Sequence, residues 1–381
     1  MYVCAYVNFS YASHRPAYRL SGRLDYSSPS TYDPIPDRLY RNRGDGTFED
    51  VTGAAGILSD KFGAGLGIVC ADFNGDGWID LYIGNDQCPN HLWVNRRDGT
   101  FMKNALLSGC AVNRDGDTEA SMGIDAGDFD SDGDEDLFMA HLAKESSTIF
   151  VNDGTGIFDD RSRETGLAAP SVPYTSFGTA WIDYDNDGHL DILVANGEVS
   201  VIEEQARAGD RFPLRQPNQL FHNLGNGKLV EVTASAGKVF ELSEVSRGAA
   251  FGDVDNDGDT DVLITNNSGS PRLLINQIGN RNHWIGLRLV DSAKKRDMIG
   301  TWVGVFRSKG PTLWRRVRAA ASFCSTNDPR LLVGLGEATE VTKVTAKWPD
   351  GSAEEWTELP VDKYTTLAEG SGKVITPARS R

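Results

Sequence analysis

The chain has 381 residues, 39% hydrophobic and 9% aromatic, with 41 glycines, a composition that fits a large, turn-rich globular protein and excludes a disordered one. Its net charge of −16 is unevenly placed: residues 280–381 carry 17 Lys and Arg against 11 Asp and Glu, leaving 21 against 43 in residues 1–279. An acidic part thus precedes a mildly basic one, which argues against a nucleic-acid partner, and no apolar run is long enough for a membrane helix, so no membrane insertion is expected.

The chain opens on Met1-Tyr-Val-Cys-Ala-Tyr-Val-Asn-Phe9, which has neither the basic n-region nor the cleavage site of a signal peptide. This stretch matches the strand that follows an acidic loop in later repeats, so the chain is expected to begin inside a repeat. Residues 10–36, with Pro29, Pro34 and Pro36, read as a long irregular loop.

Two elements then alternate. One is a Leu-aromatic-x-Asn strand followed by an Asp-Gly or Asn-Gly turn, at 38–48, 91–101, 148–158 (with Ile149 for Leu) and 219–229, with a degenerate copy at Arg272-Leu-Leu-Ile-Asn276. Such turns between apolar runs signal hairpins. The other is an acidic loop that occurs four times. Its donor positions are Asp72, Asn74, Asp76, Trp78 and Asp80; Asp128, Asp130, Asp132, Asp134 and Asp136; Asp183, Asp185, Asp187, His189 and Asp191; and Asp253, Asp255, Asp257, Asp259 and Asp261.

Oxygen donors at positions 1, 3, 5 and 9, the backbone carbonyl of position 7, and a turning glycine at position 6 converge on one point, which suits a hard cation. Ca2+ fits better than Mg2+, which keeps its waters, and about four structural Ca2+ sites are expected. Without an ion the cluster repels itself, since unit charges 4 Å apart cost from about 1 kcal/mol in water to about 4 at an effective dielectric of 20. Asp, Asn and Gly also make ordinary turns, but four copies in one local context exceed what turns need. An EF-hand is excluded because its Glu at position 12 is replaced by Ile83, Met139, Val194 and Ile264, each inside a short apolar strand.

Strand, loop, strand and hairpin make four strands in roughly 55 residues, the content of a propeller blade. The loop starts at 72, 128, 183 and 253 are spaced by 56, 55 and 70, and the longer gap holds an insertion, Glu198 to Pro217, with a short helix expected at 203–208. An all-β propeller is therefore expected over 1–279, with about four and a half blades, four of them complete. Gly63-Ala-Gly65-Leu-Gly67 superficially suggests a nucleotide loop, yet it aligns with Ser121-Met-Gly123, Ser176-Phe-Gly178 and Ser246-Arg-Gly248 and reads as the small-residue start of each blade. Trp93, Trp181 and Phe177 read as blade core.

From about 280 the pattern changes to strands at 284–290, 302–306, 314–318, 331–335, 341–348 and 365–367, a small sandwich over 280–370, with a flexible tail at 371–381. The basic segments Lys294-Lys-Arg296 and Arg315-Arg-Val-Arg318 are solvated strand faces, dock on the acidic propeller, or bind a polyanionic glycan, with the first two readings favoured. Of five cysteines at least one must be unpaired; Cys70 reads as a small core residue, and a Cys88–Cys110 disulfide is one option.

The loops resemble those of FG-GAP/VCBS propeller repeats. His283-Trp284, Arg296-Asp297 before Ile299-Gly300, Asn327-Asp328-Pro-Arg330, Gly334-Leu-Gly336 and Trp348-Pro-Asp-Gly351 resemble the motifs of an ASPIC/UnbV domain, although Ala319 to Ser325 departs from its glycine-rich form. Together they are similar to the cartilage acidic protein family, including its bacterial members. The resemblance implies secreted, extracellular or periplasmic, calcium-binding proteins with a seven-bladed ring, so N-terminal blades are expected to be missing here.

The function expected is a non-enzymatic calcium-binding propeller that mediates binding or adhesion to a protein or polysaccharide. The alternative is a propeller-based hydrolase or lyase acting on glycans, with calcium in a structural role. Against it, the six histidines are scattered and no HExxH or GxSxG is present.

Overall fold

The computed structural model describes residues 1–18, 22, 24–58, 62–320 and 322–376. Up to residue 274 the chain forms consecutive antiparallel sheets, each wound from its inner strand outward. Blade one comprises Gly65–Ala71, Asp80–Asn85, His91–Asn95 and Phe101–Lys103. Blade two comprises Ile124–Gly127, Asp136–Met139, Thr148–Asn152 and Phe158–Asp160. Blade three comprises Ser176–Ile182, Asp191–Asn196, Gln219–Asn223 and Leu229–Glu231.

Blade four, by contrast, has three strands among the described residues, Ser246–Gly252, Asp261–Asn266 and Arg272–Leu274. A leading sheet of Tyr2–Val3, Arg38–Asn42 and Phe48–Asp50 packs before blade one. The expectation of four complete blades is thus corrected to three, because the degenerate copy at 272–276 lacks the turn glycine that would return a fourth strand.

Each junction between neighbouring blades buries its own core. Tyr82 and Leu92 of blade one meet Ile124, Leu137 and Phe150 of blade two; Phe138 and Ile149 meet Trp181 and Ile192 of blade three; Leu193 and Leu220 meet Ala249, Phe251 and Val262 of blade four. Burial of each large side chain contributes about 1.5–3 kcal/mol. On blade four the residues equivalent to Leu193 and Leu220, Leu263 and Leu273, are exposed.

The inner strands approach one another closely, which explains the recurring glycines. A Cβ on Gly123 would lie 1.8 Å from the Phe177 carbonyl oxygen, and one on Gly178 would lie 2.5 Å from the Ala249 nitrogen. The small-residue pattern is therefore blade packing and not a nucleotide loop. Trp93, Trp181 and Phe177 are buried, as core residues should be. Cys70, however, is exposed, because its side chain faces away from the blade core, and Cys88 and Cys110 are both free.

The insertion after blade three's second strand forms a short helix, Glu203–Arg207, and returns as Gln216–Pro217 paired with Ser243–Glu244. It leaves from Asn196, which pairs with Ser176, whereas the acidic loop joins the other end of the same strands, where Ile182 pairs with Asp191. Insertion and loops therefore lie on opposite faces.

The C-terminal domain packs two sheets around Ile285, Leu287, Val303, Val305, Val333 and Trp348. One sheet orders Leu331–Gly336, His283–Val290 and Tyr364–Ala368; the other orders Leu313–Arg316, Trp302–Arg307, Val341–Lys347, Ala353–Trp356 and Lys373–Val374. Two of these strands were not expected, and Lys373–Val374 shows that the supposed tail from 371 begins inside the sheet; 377–381 lie outside the described residues. No helix among the described residues is long and apolar enough to cross a membrane.

Candidate metal centres

Each acidic loop is built by the same local bonds. Its position-9 carboxylate is braced on both oxygens by backbone N–H groups: Asp136 accepts from Asn152 at 2.9 Å and from Phe129 at 2.8 Å, Asp191 from Asn223 and Tyr184, Asp80 from Asn95 and Phe73, and Asp261 from Asn276 and Val254. The hairpin asparagine thereby ties each loop to its blade. It also reaches the preceding blade: Asn152 Nδ2 donates to the Phe73 carbonyl at 2.8 Å, Asn223 to that of Phe129 at 3.2 Å and Asn276 to that of Tyr184 at 2.6 Å. Loops and blade junctions are one hydrogen-bonded system.

Three loops gather carboxylates closely enough to share an ion: Asp128, Asp130 and Asp136; Asp183, Asp185 and Asp187; and Asp253, Asp255 and Asp261. Asp132, Asp134, Asp257 and Asp259 belong to the same loops but not to these triads. At 72–80 the four side chains do not form such a carboxylate group, since one is Asn74 and Arg97 pairs with Asp76 at 3.0 Å. Trp78 is exposed, consistent with a position that offers only its carbonyl. His189 packs its ring over Gly225 of the hairpin turn instead of projecting into solvent.

The electrostatics are those of a site short of positive charge. Burial, reinforced by neighbouring loop carboxylates, pushes Asp80, Asp128 and Asp191 up to about 7 and Asp134 up to about 8, and raises Asp136 and Asp183 well above the carboxylate range. Asp128 Oδ2, Asp134 Oδ1, Asp183 Oδ1 and Asp259 Oδ1 are buried oxygens without a hydrogen-bond partner. Such orphans are rare in proteins. Those of Asp128 and Asp183, at position 1 of their loops, fit a hard cation that would take them as ligands.

Sequence reasoning missed how fully the C-terminal domain covers these loops. Gly334 N–H donates to Asp183 Oδ2 at 3.1 Å, the Tyr364 hydroxyl to Asp253 Oδ2 at 2.9 Å, and Lys347 Nζ lies 3.7 Å from Asp72. Trp284 packs so tightly on Gly258 that a Cβ there would overlap the indole. At loop two, Arg316 and Arg318 pair with Glu135, which is fully covered. The basic segment 315–318 therefore docks on the propeller, and the polyanion reading of that segment falls.

Residues 322–328 follow the inner strands of three blades. Ser322 donates its N–H to Ile124 and its hydroxyl to Ala249, and accepts from Thr179; Asn327 accepts from the Phe251 N–H. A cavity of about 150 Å³ remains where this stretch meets the blades, lined by Asp125, Asp183, Asp253, Arg315, Arg318 and Tyr364. A second missed residue is His222, at the hairpin position occupied elsewhere by Val94, Val151 and Ile275. Its Nδ1 lies 3.1 Å from Asp191 and 3.6 Å from Asp185, and the hydrogen bond with Asp191 raises it to about 9.

Repeated blades with acidic loops, followed by a two-sheet domain seated on them, define the class. FG-GAP-like repeats match residues 21–83, 72–139, 128–194 and 208–284, and the ASPIC and UnbV family matches 291–374. The chain belongs to the FG-GAP-like repeat family and carries an ASPIC/UnbV domain.

Among curated proteins it is similar to cartilage acidic protein 1 of Xenopus tropicalis, 28% identical over 167 residues, 43% of this chain and 25% of that protein. The Homo sapiens protein is 27% identical over 170 residues, with the same shares. The chain spans about a quarter of the length of these relatives. Among solved structures, an Agrocybe aegerita lectin described as recognising non-reducing terminal N-acetylglucosamine shares 18% identity, covers 70% of this chain and 67% of its own, and has a TM-score of 0.34. A Bacillus licheniformis rhamnogalacturonan lyase shares 11%, covers 98% and 61%, and has a TM-score of 0.33. Likenesses this distant say nothing of ligand or reaction.

Proposed function

We propose that the chain is a non-enzymatic, calcium-binding propeller protein of an extracytoplasmic space. Ca2+ at the four loops neutralises carboxylates held by the blades, and the C-terminal domain seals the loop face. The observation that carries this reading is the pair of buried, unpartnered oxygens on Asp128 and Asp183, the first ligands of loops two and three, which water cannot reach and a cation would satisfy. An extracytoplasmic location is part of this proposal, because structural Ca2+ sites as weak as those of extracellular modules, with Kd values of roughly 10⁻⁴–10⁻³ M, would stay filled there.

With the loop face covered, the face bearing the insertion at 198–217 is the one left to receive a protein or polysaccharide. Binding of the intact chain to an array of polysaccharides and matrix proteins, with Ca2+ and with chelator, tests this. A variant with residues 200–214 replaced by a short Gly-Ser linker should lose retention while keeping its melting temperature in Ca2+. Retention unchanged by that replacement, or turnover of a glycan, would contradict the assignment.

A further inference from the structure

Blade three differs from the other three at one position of the repeated hairpin strand. Where blades one, two and four present the apolar Val94, Val151 and Ile275, blade three presents His222, the one histidine in a group able to hold a metal ion among the described residues. Its Nδ1 lies 3.1 Å from Asp191 Oδ1 and 3.6 Å from Asp185 Oδ2, and the Tyr184 ring meets the imidazole edge-on at 5.8 Å, which fixes its plane.

Asp185 joins two groups, one with Asp191 and His222 and one with Asp183 and Asp187, each close enough to hold an ion. Asp183 is 5% exposed and its Oδ1 has no hydrogen-bond partner, so the second group carries a buried oxygen that nothing in the protein satisfies.

From this donor set we propose that loop three is a mixed nitrogen–oxygen site that takes a first-row transition cation such as Zn2+ in preference to Ca2+. Ca2+ is bound by oxygen donors, whereas imidazole suits Zn2+ and its first-row neighbours. The proposal rests on the metal reading of the loops but separates this one from the other three. His222 supplies the nitrogen, Asp185 and Asp191 supply oxygens, and the adjoining Asp183, held by the Gly334 N–H of the C-terminal domain, shares Asp185 with them.

The test uses the intact chain stripped with chelator. Titration with Zn2+ in millimolar Ca2+, followed by calorimetry and by the visible absorption of Co2+ as a stand-in, should give one tight equivalent and reduce the Ca2+ stoichiometry by one. His222→Val should lose that equivalent and the Co2+ spectrum while keeping Ca2+ at the other loops. Valine stands at the matching position of two other blades, so the variant should fold. His189→Asn should leave the equivalent in place. Zn2+ uptake that ignores His222, or that disappears with His189→Asn instead, overturns the proposal and leaves the calcium reading standing. Zn2+ bound through His222 with no Ca2+ at any loop has the opposite meaning.

Discussion

Arg316 Nε donates to Glu135 Oε2 at 2.7 Å across the junction between the C-terminal domain and blade two. Arg318 takes the other oxygen, and both guanidiniums are largely covered. Burial alone would raise Glu135, but the two arginines outweigh it and hold the carboxyl below its usual range. Removing one partner of such a buried group costs about 3–5 kcal/mol, because a charge is left uncompensated. Glu135→Gln should therefore lower stability by about that amount in a urea melt. Changing Glu135 to Leu and Arg316 to Met, with Arg318 kept on the buried Asp125, should recover part of the loss.

Stability should depend on pH in a direction opposite to that of most proteins when metal is absent. Asp80, Asp128 and Asp191 titrate near 7 and Asp134 near 8 in the fold, against about 3.9 unfolded, so the folded chain holds protons there that the unfolded chain has released. Their contribution falls as pH rises from about 4 to 8. His222, raised to about 9, acts in the same sense, fully present below about 6.5 and lost as pH rises to 9. Burial lowers His91 to about 3 and His141 to about 4, and these two destabilise the fold as pH falls below about 6.5. Because the four carboxylates outnumber the two histidines, melting of chelated protein should thus decline from about pH 5 toward 9, and saturating Ca2+ should flatten that decline.

Gly123 permits the close approach of blades two and three, since a Cβ there would meet the Phe177 carbonyl at 1.8 Å. Gly123→Ala forces the inner strands apart and should cost about 1–3 kcal/mol or more, as overpacking does. At Gly53 an added Cβ meets nothing nearer than Leu58 at 3.5 Å, so Gly53→Ala should stay within about 0.5 kcal/mol in the same thermal melt.

The blades and loops were legible because their signals are local: Asp-Gly turns, the spacing of Asp128, Asp130 and Asp132, and strands such as Leu137-Phe-Met139 follow one another within nine to twelve residues. What sequence hid was long-range. His222 lies 31 residues from Asp191, and Arg316 lies 181 residues from Glu135 in separation. The strand Ala353–Trp356 was missed because Glu354 is buried, accepting N–H bonds from Gly370 and Gly372, and so breaks the apolar alternation. Part of the propeller's acidity is docking surface, as one reading of the 315–318 segment expected, since Glu135 and Asp125 receive Arg318.

Calorimetric titration of Ca2+ into chelator-stripped, zinc-free protein, paired with melts of both forms, tests the central claim most directly. About four ions per chain should bind and raise the melting temperature, because a ligand of the native state stabilises it. Asp128→Asn should remove one of them. No heat of binding together with an unchanged melting temperature would contradict the account.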